Sequence, residues 1–448
     1  MRIAIENAAI ATVDSAGTEH ATGHVVVNDN LIEAVGPGSA PGTVDRRVDA
    51  SGCLVTPGFV NTHHHLYQWA TRGYAQQATL FEWLTELYPV WAGIDEEITR
   101  AAAVAGLTRL ARTGCTTAAD HHYVFPDEGG DVFAATVEAA RQVGIRLHGA
   151  RGSMDRGESD GGLPPDSVVE TLDGALAGTA EAIDRFHDPS PESFTRVAVA
   201  PCSPFSVSLD LMREAAKLAR DKGVRLHTHL AETLDEERQC LDEHGCTPAE
   251  LADRLGWLGE DVWFAHGIHF SDDAVKRLGE TGTGVAHCPT SNSRLGAGIA
   301  RVQDLVHAGS PVGLGVDGAA SNEDGSLGIE LRQAVYLARQ KNGPHTATAR
   351  DGLWLATIGG ARCLGRENEI GSLEPGKQAD LAVWRLDGMD HAGIADPVAA
   401  LVLGVLPPLK LLLAGGSTVV EDNECRTVPD SEAAAALRTA SRKLAEKR

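Results

Sequence analysis

Between residues 57 and 365 the chain alternates short apolar runs with helical patterns, and few folds accommodate that alternation. Eight runs, at residues 58–62, 116–120, 145–151, 195–201, 224–229, 261–266, 284–288 and 312–317, have the length and apolar character of buried strands. Helical stretches such as 97–112, 209–222 and 272–278 separate them. Parallel strands need a crossover of roughly helix size, so repeating strand and helix eight times predicts an α/β chain closed into a (β/α)8 barrel. The two ends read differently. Residues 1–56 alternate apolar and polar with turn residues at short intervals, as in Asn28-Asp29-Asn30 and Pro37-Gly38. Near the other end, residues 371–377 read as a turn, and 379–384 and 410–421 as strands. Neither piece is long enough to bury a sheet face alone. The expected organisation is therefore a barrel over 57–365 and one small β-sandwich domain built from 1–56 and 366–448. A capped helix over 430–448, acidic at its start and basic at its end, closes the chain.

A barrel of this kind carries its chemistry at the C-terminal ends of different strands. Residues 57–68, PGFVNTHHHLYQ, deliver histidines from the end of the first strand. Residues two apart on an extended chain point the same way, so His63 and His65 present two imidazoles to one point while His64 faces elsewhere. Two neutral imidazoles are half of a zinc or iron site. Strand five ends in His227-Thr228-His229 followed by Glu232, strand six in His266, and strand eight in Asp317. One histidine at a strand end is commonly a structural hydrogen-bonding residue. Ligand-type residues at four strand ends point to a site.

Composition narrows the partners. Acidic residues outnumber basic ones, 62 to 39, for a formal charge of -23. That balance argues against nucleic acid or an anionic membrane as partner and suits a small neutral or cationic substrate. Eight cysteines without CxxC pairs favour reduced thiols and a cytoplasmic protein. The opening residues MRIAIENAAIATVD have neither a basic region nor a long apolar run, so neither a signal peptide nor a spanning helix is expected.

Other signals read both ways. The loop over 152–166, with four glycines and two prolines, is expected at the mouth of strand three as a lid or binding loop. Trp83, Tyr88 and Trp91 form a helical face that is either core or substrate cage, and His121-His122 either contacts substrate or satisfies a buried carboxylate. Gly313-x-Gly315-x-x-Gly318 matches a dinucleotide fingerprint but lacks its acidic residue about twenty positions on.

Jointly, PGFVNTHHH (57–65), HTHLAE (227–232), AHGIH (265–269), HCPTSN (287–292), GLGVDGAASNE (313–323) and GSLEPGKQADLAVW (371–384) resemble the mononuclear deaminase and chlorohydrolase branch of the amidohydrolase superfamily, over essentially the whole chain. The resemblance implies that His63, His65, His229 and Asp317 hold one divalent metal, zinc or iron(II). Glu232 and His266 would act on water and substrate, and Asp317 would accept the last proton of the attacking water. Binuclear relatives bridge two metals with a carbamylated lysine after strand four, but the first lysine here is Lys217, so one metal is expected.

Within the branch, HHHLYQ (63–68), DHHYVFP (120–126), the loop over 151–166 and APCSPFSVS (200–208) resemble 8-oxoguanine deaminases and hydroxyatrazine ethylaminohydrolases. This implies hydrolysis of 8-oxoguanine to uric acid and ammonia by a homo-oligomeric enzyme. Gln68, Tyr67, Phe205, His122 and Arg151 would contact the heterocycle, Gln68 at one purine edge and Phe205 by stacking. Guanine deaminases carry an Arg-Phe pair where this chain has Pro204-Phe205, which disfavours plain guanine. The alternatives are a triazine amino- or chlorohydrolase and a guanine or pterin deaminase. Retention of every ligand-type residue opposes a non-catalytic scaffold.

Overall fold

Eight consecutive parallel strands form the centre of the computed structural model, which describes residues 1–447. They are β1 (Phe59–Asn61), β2 (Cys115–His122), β3 (Arg146–Ser153), β4 (Thr195–Pro201), β5 (Leu226–Leu230), β6 (Val262–His266), β7 (Gly284–His287) and β8 (Val312–Leu314). Each pairs with its sequence neighbour, as right-handed crossovers through helices require. The barrel closes where Thr62 donates its backbone N–H to Leu314 O at 2.9 Å and Asp317 donates to His63 O at 3.1 Å. Beyond that seam, His64–His65 and Asp317–Gly318 form a short parallel pair, in register Asp317 with His64. Barrel closure itself therefore brings the histidines after β1 beside the aspartate after β8.

Close packing at the seam explains the three glycines. A Cβ on Gly313 would lie 2.6 Å from Thr62 Cγ2, one on Gly315 2.8 Å from His63 Cβ, and one on Gly318 1.7 Å from Gln68 Oε1. They let two segments approach, and no phosphate cradle is involved. Inside the barrel, Trp263 is fully buried against small residues, Ala119, Ala150, Ala198 and Ala286, that leave room for its indole. Its Nε1–H donates to Thr62 O at 3.0 Å, and its ring stacks on His227 at 4.4 Å.

Both chain ends build a nine-stranded mixed sheet. Cys53–Pro57 pairs antiparallel with Leu381–Arg385, joining the N-terminal strands to the C-terminal ones, and Ile3, Ile5, Val25, Val55, Leu381, Val383 and Leu411 share one core. The helix Asp430–Glu446 packs back on Glu96–Arg112. No helix among the described residues is long and apolar enough to cross a membrane.

A buried ion pair ties the barrel to the sheet. Arg146, at the start of β3, places Nε 2.9 Å from Asp380 Oδ2 and gives Nη1 to the carbonyls of Glu192 and Ser193, each at 2.8 Å. Both side chains are almost wholly excluded from solvent. Arg146→Met would strand the Asp380 carboxylate without its partner, a loss of about 3–5 kcal/mol for such a pair. Denaturant unfolding should shift to markedly lower concentration, whereas the same change at the exposed Arg438 should leave the midpoint in place.

Candidate active site

Each strand-end histidine is oriented by a carbonyl or a second histidine. His65 Nδ1–H donates to His121 O at 2.6 Å, and His229 Nδ1–H to Cys202 O at 2.6 Å. His63 Nδ1–H donates to His227 Nε2 at 2.8 Å, and His227 Nδ1–H in turn to Trp263 O at 2.9 Å. These partners fix the tautomers, leaving the Nε2 of His63, His65 and His229 as bare lone pairs. Burial pushes all three imidazoles below their ordinary pKa, so they are neutral.

The lone pairs converge. His65 Nε2 lies 3.1 Å from His229 Nε2, and Asp317 Oδ1 lies 3.4 Å from His63 Nε2 and 3.3 Å from His65 Nε2. With both Nδ1 atoms protonated, no proton stands between His65 and His229, and His63 Nε2 is buried without any hydrogen-bond partner. Ligands about 2.0–2.1 Å from a tetrahedral ion are spaced about 3.3–3.4 Å apart. His63, His65 and Asp317 form one close group and His229 adjoins it through His65, so three neutral imidazoles and one carboxylate oxygen could together hold a divalent cation such as zinc.

Around that point stand groups suited to proton transfer. Glu232 is 4% exposed. Burial, against the pull of His266, pushes its carboxyl up to about 7. The carboxylate of Glu236 holds it in place, accepting from the backbone N–H of Ala231 at 2.9 Å and of Glu232 at 2.7 Å. His266 Nδ1–H donates to Asn292 Oδ1 at 2.9 Å, which turns Nε2 toward Glu232 Oε2 at 3.5 Å and Asp317 Oδ2 at 4.0 Å. Burial alone would lower the His266 pKa, but the charges of Glu232 and Asp317 outweigh it and raise it. Asp317 Oδ2 accepts from Ser291 Oγ at 2.5 Å.

A small cavity opens on these groups, walled by Gln68, Tyr123, Cys202 and Phe205 and roofed by Leu80, Trp83, Leu84 and Tyr88. Gln68 is fully buried, and neither its Oε1 nor its Nε2 has a partner. Of the five residues expected at the substrate, Gln68 and Phe205 line the cavity and three do not. Tyr67 packs edge-on against Trp91 at 5.3 Å. His122 donates Nε2–H to Val124 O at 2.9 Å, and Arg151 forks onto Glu170 with both contacts at 2.7 Å. The reason is strand alternation: His121 and Ala150 are register partners, as are His122 and Arg151 one residue on. His121 faces the barrel axis, so its successor turns away from it.

The loop over 152–166 also stays off the cavity. Its Asp155 is bound to Ser208, accepting from the backbone N–H at 2.6 Å. The aromatic cluster divides, with Trp83 and Tyr88 on the cavity and Trp91 beneath. His121 lies beside the site and not on the cavity, its ring stacked on His229 at 4.8 Å. Sequence reasoning assigned no role to His227, although the same two-residue period that joins His63 to His65 joins it to His229. Ser291 and Asn292, within HCPTSN, and Glu236 were missed because nothing local marks a residue that holds another.

Residues 54–418 match the amidohydrolase family profile. The chain belongs to the amidohydrolase family. It is 45% identical to an 8-oxoguanine deaminase of Pseudomonas aeruginosa over 419 residues, 92% of each chain. It is 34% identical to a hydroxydechloroatrazine ethylaminohydrolase of Pseudomonas sp. (strain ADP), covering 95% of this chain and 92% of that one. In structure it resembles a zinc-complexed atrazine chlorohydrolase of Arthrobacter aurescens TC1, with TM-score 0.93 at 33% identity over 98% of this chain and 100% of the other. It is an enzyme, a hydrolase acting on C–N bonds.

Two substitutions separate holding a metal from orienting a holder. His229→Ala should abolish stoichiometric zinc in dialysed protein. His227→Ala, which frees His63 to turn, should keep the site but weaken zinc about 10–100-fold in a chelator competition. Full zinc affinity in both variants would contradict the arrangement described.

Proposed function

We propose that this amidohydrolase deaminates an oxidised purine, 8-oxoguanine, to uric acid and ammonia, with one zinc ion per chain held by His63, His65, His229 and Asp317. The observation that carries the reading is the Gln68 amide. A buried amide with neither group paired costs about 1–3 kcal/mol for each orphan, and it becomes satisfied when a ligand presents an adjoining acceptor and donor. The lactam edge of an oxopurine does so. The aromatic side chains of Phe205, Trp83 and Tyr88 on the cavity suit a planar ring, and its lining contains no lysine or arginine, which matches a neutral heterocycle. The similarity to an 8-oxoguanine deaminase over most of both chains supports the same substrate.

When bound, the metal lowers the pKa of a coordinated water to about 7. Glu232, whose carboxyl is pushed up to about 7 by burial, would take a proton from the attacking water and deliver it to the ring nitrogen beside the amino-bearing carbon, which would make the carbon electrophilic. His266, held by Asn292, donates from Nε2 to the attacking oxygen. Asp317 Oδ2 accepts the oxygen's remaining proton, which leaves with the amino group as ammonia. The water oxygen stays on carbon as the new carbonyl.

Eight free, buried cysteines support a reducing, cytoplasmic setting. The exposed apolar side chains of Met389, Ile394 and Val405 support a homo-oligomer.

Glu232→Gln should keep its zinc and lose about 10²–10⁴-fold in turnover, as removal of a proton-transfer group does. Substrate choice is tested by specificity constants of the zinc enzyme for 8-oxoguanine, guanine, isocytosine and hydroxyatrazine. 8-Oxoguanine should be the best of the four; hydroxyatrazine in first place would favour the triazine reading that the chlorohydrolase likeness supports.

A further inference from the structure

Every side chain that lines the cavity is buried except Phe205, which is partly so. The cavity has only about 30 Å³ of free room, so a planar heterocycle is accommodated only when part of the wall moves. The side of the wall that carries the histidines is fixed. His65, His229, His266 and Asp317 stand on paired strands, and moving them would open the barrel. The roof is different. Leu80, Trp83, Leu84 and Tyr88 all belong to one helix, α1 (Leu80–Trp91), which is reached from the barrel through residues 72–79. That connection has no regular secondary structure beyond its first turns and is largely half-exposed or exposed. It carries two left-handed residues, Gly73 at φ 81° and Ala75 at φ 44°. A non-glycine residue in that region is strained and persists only where its surroundings hold it.

What holds it is Arg294. Its Nη1–H donates to Ala75 O at 2.9 Å and its Nη2–H to Tyr74 O at 3.0 Å, so one guanidinium forks across the strained turn. Glu323 Oε1, 3.1 Å from Nη2, steadies the guanidinium from the other side. The roof itself adds a hydrogen bond from Trp83 Nε1–H to Ala320 O at 3.2 Å and an edge contact of Phe81 with Phe205 at 5.2 Å. Arg294 ends the helix α2 (Pro289–Arg294). The same short helix supplies Ser291 to Asp317 and Asn292 to His266. One rigid element thus touches the roof at its end and two proposed catalytic groups in its middle.

We propose that Arg294 is the latch of a lid formed by residues 72–88: it holds this part of α1 closed over bound substrate, and its release from Tyr74 and Ala75 opens the cavity. Arg294 is a positioning residue that touches neither substrate nor reacting atoms. The inference rests on reading this cavity as the active site, not on which heterocycle it takes. Losing the fork shifts the lid toward open states. Because only the closed fraction binds productively, apparent affinity falls by that fraction while the chemistry of closed molecules is unchanged. Lysine reaches one carbonyl but cannot fork across two, so it substitutes in part.

The test is amide hydrogen exchange on the zinc-loaded protein without substrate, comparing wild type, Arg294→Ala and Arg294→Lys. Exchange across residues 73–84 should rise about tenfold or more in Arg294→Ala and less in Arg294→Lys, with peptides over Leu226–Leu230 and Val312–Leu314 unchanged. With substrate, KM should rise about tenfold in Arg294→Ala while kcat moves by less than about threefold. Exchange across 73–84 that matches wild type, or that rises no more than in the barrel peptides, overturns the latch. A latch seen by exchange in a protein inert toward every purine would stand, and would overturn the substrate reading instead.

Discussion

Two imidazole lone pairs facing each other across 3.1 Å, with a third and a carboxylate oxygen close by, are the constraint on which the rest of this structure depends. Such a cluster repels itself unless a cation occupies its centre, and the barrel must hold it open for that cation. The backbone does most of this. Carbonyls of His121, Cys202 and Trp263, from the ends of β2 and β4 and from within β6, take the Nδ1 protons directly or through His227. The site is thus specified by hydrogen bonds that the barrel's parallel register already places.

Local strain accompanies the site. Ala231, His266 and Asp317 all take left-handed φ, at 53°, 72° and 61°, where side chains are rarely found. Each costs about 1–3 kcal/mol. Glycine would relieve the strain at His266 and Asp317 and would also remove the groups the site needs. The compensation is specific: Glu236 binds the N–H groups of Ala231 and Glu232, Asn292 binds His266, and Ser291 with the Gly318 N–H binds Asp317. Breaking the regular strand at these residues is what turns side chains from different strands toward one point above the barrel.

The barrel was legible because its signal is periodic and repeated. Eight apolar runs fall on eight observed strands, and the helix expected over 209–222 spans Leu209–Lys222. The pairing of His63 with His65 was legible too, since strand-end position and two-residue spacing place them together, whereas the choice of His229 over His227 and of Asp317 rested on the family resemblance. Side-chain direction past a strand end was not legible. Tyr67, His122 and Arg151 share motifs with residues on the cavity, yet alternation carries His122 and Arg151 away, and Tyr67 sits where the chain has already turned into a short helix. The roof was hidden for another reason. A helix with apolar residues on one face reads as core, and only tertiary placement distinguishes Trp83 over a cavity from Trp91 beneath it.

The central claim is that one cation sits among three imidazoles and an aspartate, and X-ray absorption at the zinc edge tests it most directly. Protein loaded with one equivalent should show only nitrogen and oxygen at about 2.0–2.1 Å, with the outer-shell scattering of histidine rings. A sulfur shell near about 2.3 Å would place the metal on a cysteine such as Cys202 or Cys288, and a second metal scatterer would make the site binuclear; either result contradicts the account.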